Sequence, residues 1–116
     1  MSDSHQLLRQ HIEAMIRRDL EMIMDDYTEE SVIITPDGQV SGMEAIRKMF
    51  KRFFSAIPPH AELKIDRDYA DGDYAFIVWH ASSEFLDIPM GTDTFVIRDG
   101  KISFQTYAGL MQPKNN

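Results

Sequence analysis

The chain has 116 residues, 43% of them hydrophobic and 27% charged, and a formal net charge of −7. That is the length of one domain, with enough apolar content for a core that needs no disulfide or metal staple. The absence of cysteine excludes disulfides, a thiol nucleophile and Cys-ligated zinc, and the acidic balance argues against nucleic acid and anionic membrane as partners.

No apolar run approaches the roughly 20 residues of a membrane span. The polar start, Met1 to Gln6, lacks a basic region followed by an apolar run, so no secretory signal is expected. The expectation is one domain over residues 1–116, located in the cytoplasm.

In chain order, Ser4 is placed to cap a first helix with Leu8, Ile12, Met15 and Ile16 on one stripe. Asp19 is placed to cap a short second helix reaching about Tyr27. Ser31 to Thr35 is a β-branched run that stops at the turn Pro36-Asp37-Gly38. Ser41 and Glu44 have the spacing of a capping box. The helix they open carries Ile46, Met49, Phe50, Phe53, Phe54 and Ile57 at helical spacing, and Pro58 ends it.

After Pro59 the period changes from about 3.6 to 2. Asp71-Gly72 reads as a two-residue hairpin turn, which would set Tyr69 against Tyr74, Ile65 against Val78 and Leu63 against His80. The following strand is apolar on both faces. Phe76 and Val78 are assigned to the helix side, with Arg67 and His80 beside them. Ala75, Ile77, Trp79 and Ala81 then form an outer face that needs a cover. A domain this small has no second layer to provide one, so a homodimer through that sheet face is expected.

Asp87-Ile88-Pro89 is expected to end that strand before a last hairpin closed by Asp99-Gly100. In that hairpin Ile97 faces Ile102, Phe95 faces Phe104 and Asp93 faces Thr106, with Gln105 and Tyr107 on the other side. Asp93 then lies on an apolar face, where a carboxyl must be neutralised, paired or hydrogen-bonded. The fold class is α+β: three N-terminal helices packed on a curved, mostly antiparallel sheet.

The segments Arg18-Asp19-Leu20, Tyr27 to Val32, Pro36-Asp37-Gly38 with Gly42 to Ile46, Asp71 to Ala75, and Asp93-Thr94-Phe95 with Asp99 to Ile102 follow one another in a familiar order. The chain resembles the nuclear-transport-factor-2-like (NTF2-like) superfamily, in its ketosteroid-isomerase-like and SnoaL-like branch. The resemblance implies a cone in which a bent sheet wraps the long helix around a deep apolar pocket, and it implies frequent dimers. The resemblance places Asp93 where ketosteroid isomerases hold an oxyanion-hole aspartic acid, a carboxyl kept neutral in an apolar site. Thr35 stands where their general base would be, and His11 where their oxyanion-hole tyrosine would be. Gly91 stands where the epoxide hydrolases of the superfamily carry an arginine.

Asp93 is therefore read as the acid or oxyanion donor and His80 as a base near neutral pH. Tyr27, Phe50, Phe54, Phe95, His11 and Met15 are read as the surround of a small apolar organic ligand. His11 follows the apolar stripe of the first helix loosely, at the solvent side or pocket edge. The spacing of His11, His80 and Asp93 fixes no metal site, and neither metal nor cofactor is expected. Two functions compete. One is cofactor-independent acid/base catalysis, such as isomerisation, cyclisation or dehydration. The other is a non-catalytic ligand-binding or protein-interaction dimer.

Overall fold

In the computed structural model, which describes residues 3–114, the chain runs α1 (Asp3–Arg17), α2 (Leu20–Met24), β1 (Tyr27–Thr35), β2 (Gly38–Ser41), α3 (Met43–Ala56), β3 (Glu62–Asp71), β4 (Tyr74–Ser82), β5 (Leu86–Arg98), β6 (Lys101–Gly109) and β7 (Gln112–Pro113). The sheet order is β2-β1-β6-β5-β4-β3, with β7 on β5. All neighbours are antiparallel except β1 and β6. The helices cover one face of this open, curved sheet. No helix among the described residues is long and apolar enough to cross a membrane.

Local signals act much as their chemistry requires. The Asp19 side chain accepts the Met22 amide at 3.0 Å and starts α2. Asp99 and Gly100 both take positive φ, the geometry of a tight turn whose twist matches its strands, and Arg98 faces Lys101 across it. The Ser41–Glu44 capping box does not form. Gly42, at φ 85°, is the N-cap of α3, and the Met43 amide is accepted at 2.8 Å by Glu29 from β1. Tyr27 begins β1 instead of ending α2.

The stripe that α1 buries is Ser4, Leu7, Leu8, His11, Ala14 and Met15, leaving Ile16 43% exposed. His11 is fully buried and does not line the cavity, where the expectation was the solvent side or the pocket edge. Counting Ala14 and His11 as core positions restores the regular i, i+3, i+4, i+7 spacing.

Three departures from the expected strand register change the pairing, and two of them, both one-residue bulges, reverse the assignment of faces. The β3–β4 turn is Gly72-Asp73, so Asp71 faces Tyr74. A bulge at Asp66 then moves Ile65 opposite Trp79 and Leu63 opposite Ala81. A second bulge, at Ser103, sets Phe95 opposite Gln105 and Asp93 opposite Tyr107. The Ser103 hydroxyl donates to the Val96 carbonyl at 3.1 Å and ties down the extra residue. Strand side chains alternate, so a one-residue slip exchanges faces.

Ala75, Ile77, Trp79 and Ala81 therefore face the helices and are buried, while Phe76, Val78 and His80 lie outside and are half-buried. Gln105 is buried on the inner face as well. Asp87-Ile88-Pro89 does not interrupt the sheet. The β4–β5 register skips between Trp79–Gly91 and Ala81–Ile88, which leaves Pro89 and Met90 in an irregularity that needs no ladder bond from proline.

Candidate functional site

Asp93 is 5% exposed, on the inner face at the middle of β5. Each of its carboxyl oxygens accepts an N–H. The Trp79 indole Nε1 donates to Oδ1 at 2.8 Å from β4. The Gln105 Nε2 donates to Oδ2 at 2.7 Å from β6. The Tyr27 hydroxyl donates to Gln105 Oε1 at 2.5 Å, which orients the amide so that its N–H groups face Asp93. The two strands flanking β5 and the start of β1 thus converge on one carboxyl.

Burial dominates the protonation of this group and raises its pKa to about 6. The Trp79 hydrogen bond, the His11 charge and the Gln105 hydrogen bond each pull it back down. Burial also raises the phenols of Tyr27 and Tyr107, with Asp93's charge adding to both.

Next to Asp93 is a cavity of about 50 Å³. Its walls are Met15 from α1, Met49, Phe50 and Phe53 from α3, and Trp79, Gln105 and Tyr107 from the sheet, with Asp93 as its charged group. Trp79 stacks on Tyr107 at 14° and 6.0 Å, and Phe53 meets the indole edge-on at 5.5 Å. Such a volume holds one or two waters, so an organic guest must displace side chains. The two methionines are the adaptable part of the wall.

Gly91 explains how the indole fits. It lies directly across from Trp79, and a Cβ at Gly91 would be 2.4 Å from the indole ring. The space that a longer residue at position 91 would need is taken by Trp79.

Of the residues read from sequence, Met15 and Phe50 line the cavity beside Asp93. Phe54 packs behind them, its ring 5.9 Å from Phe50. Phe95 is fully buried under His11, at a ring separation of 4.9 Å. Tyr27 acts through Gln105. His80 is not brought to Asp93. Ile77 pairs with Asp93 on the inner face, so His80, three residues along β4, lies on the outer one, where Nδ1 meets Asp66 Oδ2 at 2.7 Å. Thr35 is the last residue of β1, paired with Gly38, and its hydroxyl donates to the Gly38 carbonyl at 3.2 Å.

Sequence reasoning missed Trp79 and Gln105, whose signal was masked by the bulges, and Asp26. Asp26 is 2% exposed and Oδ2 lies 3.1 Å from His11 Nδ1, while Gln10 Nε2 donates to Oδ1 at 2.8 Å. The signal available for Asp26 was a carboxylate directly before an apolar strand.

A family model described as a SnoaL-like domain matches residues 8–105. The chain belongs to the SnoaL-like domain family. No curated protein matches it. Solved structures similar to this SnoaL-like domain include a candidate ketosteroid isomerase from Kribbella flavida DSM 17836, with a TM-score of 0.79 at 16% identity, covering 98% of this chain and 82% of that one. Another is a SnoaL-like protein of unknown function from Burkholderia thailandensis E264, with a TM-score of 0.76 at 16% identity over 93% of this chain and 95% of that one. A candidate polyketide cyclase from Sinorhizobium meliloti has a TM-score of 0.73 at 20% identity over 88% and 93%. At these identities the likeness is one of fold, and it agrees with the NTF2-like resemblance of the sequence.

Proposed function

We propose that this SnoaL-like domain binds a small, largely apolar organic molecule in the Asp93 cavity and catalyses a cofactor-independent proton transfer on it. The observation that carries the reading is a single buried carboxyl with an N–H donor on each oxygen and an apolar cavity beside it. Two donors favour the ionised form, and each oxygen keeps capacity to accept another hydrogen bond. Asp93 in this arrangement is a base rather than the neutral donor that the ketosteroid isomerase resemblance implies. A carboxylate with a pKa of about 6 is matched to proton abstraction near neutral pH.

The chemistry follows from the surround. Asp93 takes a proton from the bound molecule and returns it at another atom, which is an isomerisation, or lets a ring closure or loss of water follow. The apolar walls keep the charge from being screened by water. Tyr27 and Gln105 hold the carboxyl in place while its charge changes. Similarity of fold to a candidate ketosteroid isomerase and a candidate polyketide cyclase supports this class of reaction without specifying a substrate.

A panel of cyclic enones in D₂O tests the reading, with deuterium incorporation followed by NMR. Wild type should incorporate deuterium into at least one of them faster than buffer. Asp93→Asn, folded by its near-ultraviolet circular dichroism, should be slower by a factor of about 100 or more. Equal rates for the two proteins would remove Asp93 as the base. Binding without exchange would favour the non-catalytic ligand-binding reading, which a threonine at position 35, where the resembled isomerases carry their general base, also supports.

The homodimer belongs to this proposal too, through a different set of side chains from those first expected. The outer sheet face presents Phe76, Val78 and Val96 at half-burial, with Tyr69 55% and Tyr74 62% exposed. This contiguous apolar face supports pairing with a second copy. Phe76→Arg should shift the mass measured by light scattering from dimer to monomer, whereas a mass unchanged from wild type would exclude this face.

A further inference from the structure

A second hollow adjoins the Asp93 cavity. It is an open groove of about 270 Å³ between α3 and the β1–β2 hairpin, and Met49 and Tyr107 line both spaces. To these shared walls the groove adds Thr35, Asp37, Gln39 and Arg52. On α3, Met49, Arg52 and Phe53 fall at i, i+3 and i+4 and so share one face. Met49 and Phe53 wall the cavity, which puts Arg52 at the edge where that wall gives way to the groove. Burial, and then the charges of Asp93 and Asp37, raise the Tyr107 phenol. Its ring is therefore within reach of the carboxyls of both spaces, and it keeps its proton. An apolar interior beside Asp93 continues into a polar mouth.

Two groups in the groove have donors to spare. Arg52 is exposed, and among the described residues it makes neither an ion pair nor a hydrogen bond. Its neighbours on α3 behave differently: Arg47 pairs with Glu21 at 2.5 Å and Lys48 with Glu44 at 3.5 Å. In a chain with 19 acidic side chains against 12 basic ones, carboxylates are in excess, so an unpaired guanidinium at the mouth of a cavity is free for a guest. The Tyr107 hydroxyl has one partner among the described residues, the Met111 thioether at 3.7 Å, a weak acceptor. Guanidinium and phenol are both donors here, and a planar carboxylate is an acceptor that a guanidinium matches with two parallel bonds. Asp37, in the same groove, limits the charge of the guest, because it repels a dianion about twice as strongly as a monoanion.

We propose that Arg52 and Tyr107 form a carboxylate subsite at the mouth of the Asp93 cavity, and that the ligand is a small organic acid, apolar at one end and carrying a single carboxylate at the other. The apolar end is seated beside Asp93 among Met15, Met49 and Phe53. The carboxylate stays in the open groove, where it keeps much of its water. Held there, it does not enter the buried space around Asp93, which would disfavour a second negative charge. The groove also answers the small size of the cavity. About 50 Å³ holds no ring unless side chains move, and the adjoining space brings the whole close to the lower bound of small-molecule sites, roughly 300 Å³. The inference rests on the reading of the Asp93 cavity as the seat of the ligand, and its test separates the two.

The probes are 3-phenylpropionate, 3-phenylpropanol, 3-phenylpropylamine and 3-phenylpropyl phosphate, titrated at neutral pH into protein labelled with ¹⁵N in tryptophan. The acid and the alcohol should both move the Trp79 indole resonance, which reports occupation beside Asp93. The acid should bind about tenfold more tightly than the alcohol, the worth of one charge-assisted hydrogen bond. Arg52→Gln should bring the acid down to the affinity of the alcohol and leave the alcohol unchanged. Tyr107→Phe, which keeps the ring that stacks on Trp79, should weaken the acid by a factor of about three. An acid that binds no better than the alcohol, or an advantage that survives Arg52→Gln, would overturn the proposal and leave the Asp93 cavity standing as an apolar site. So would an amine or a phosphate that binds at least as tightly as the acid. An indole resonance untouched by every probe would overturn both.

Discussion

Wild type should gain about 2 kcal/mol of stability relative to Asp93→Asn as the pH is lowered from 7 to 4, measured by urea denaturation at each pH. The Asp93 carboxyl has a pKa of about 6 in the folded protein, against about 3.9 for an aspartate in an unfolded chain. Between those values the folded state holds a proton that the unfolded state has released. Stability therefore falls as pH rises through this window and is flat above it. The contribution is fully present below about 4 and lost once the pH passes the folded value. This is the reverse of a salt-bridged aspartate, whose stabilising effect disappears in acid.

The difference from Asp93→Asn isolates the effect, because other carboxylates titrate in both proteins. The Trp79 indole N–H, bonded to Oδ1 in a chain with a single tryptophan, should titrate with the same midpoint near pH 6. A difference curve that is flat between pH 4 and 7 would mean that Asp93 is solvated like a surface carboxylate. The proposed base would then lose its physical foundation.

The sequence made the α+β architecture, the long helix and the Asp99-Gly100 hairpin readable because each rests on local chemistry: periodicity, a cap and a turn with positive φ. Asp93 was readable for a related reason, since a carboxyl in register with Phe95 and Ile97 along one strand is anomalous wherever the partner strand lies. Its partners were not readable. Each bulge inserts one residue, at Asp66 and at Ser103, and neither residue type marks a bulge. Every cross-strand neighbour beyond it then changes face. Trp79 and Gln105 were consequently assigned to the outside and His80 to the inside. His11 was misplaced for another reason. A histidine buried at the centre of a helix stripe is made possible by Asp26, 15 positions away, and no local pattern announces that pairing.

Gly91→Ala should destabilise the protein by about 3 kcal/mol or more, a larger loss than overpacking alone commonly produces. An added Cβ at this position would lie 2.4 Å from the Trp79 ring. A rigid indole cannot yield by a small rotation, because Phe53 meets its edge and Tyr107 stacks on its face. The ring must tilt or the two strands must part. Either movement draws Nε1 away from Asp93, where it donates at 2.8 Å. The cost of the steric contact is then joined by that of a buried carboxylate left with Gln105 as its sole side-chain donor.

The two parts are separable. Since the Trp79 bond is one of the forces holding the Asp93 pKa down, its loss should move the midpoint upward from about 6. Trp79→Phe should reproduce that upward shift, having lost the donor, while relieving the clash when combined with Gly91→Ala. The double variant should therefore be more stable than Gly91→Ala alone. A Gly91→Ala protein as stable as wild type, with its indole resonance unmoved, would mean that the strands give way freely at this pair and that the indole is not what requires glycine there.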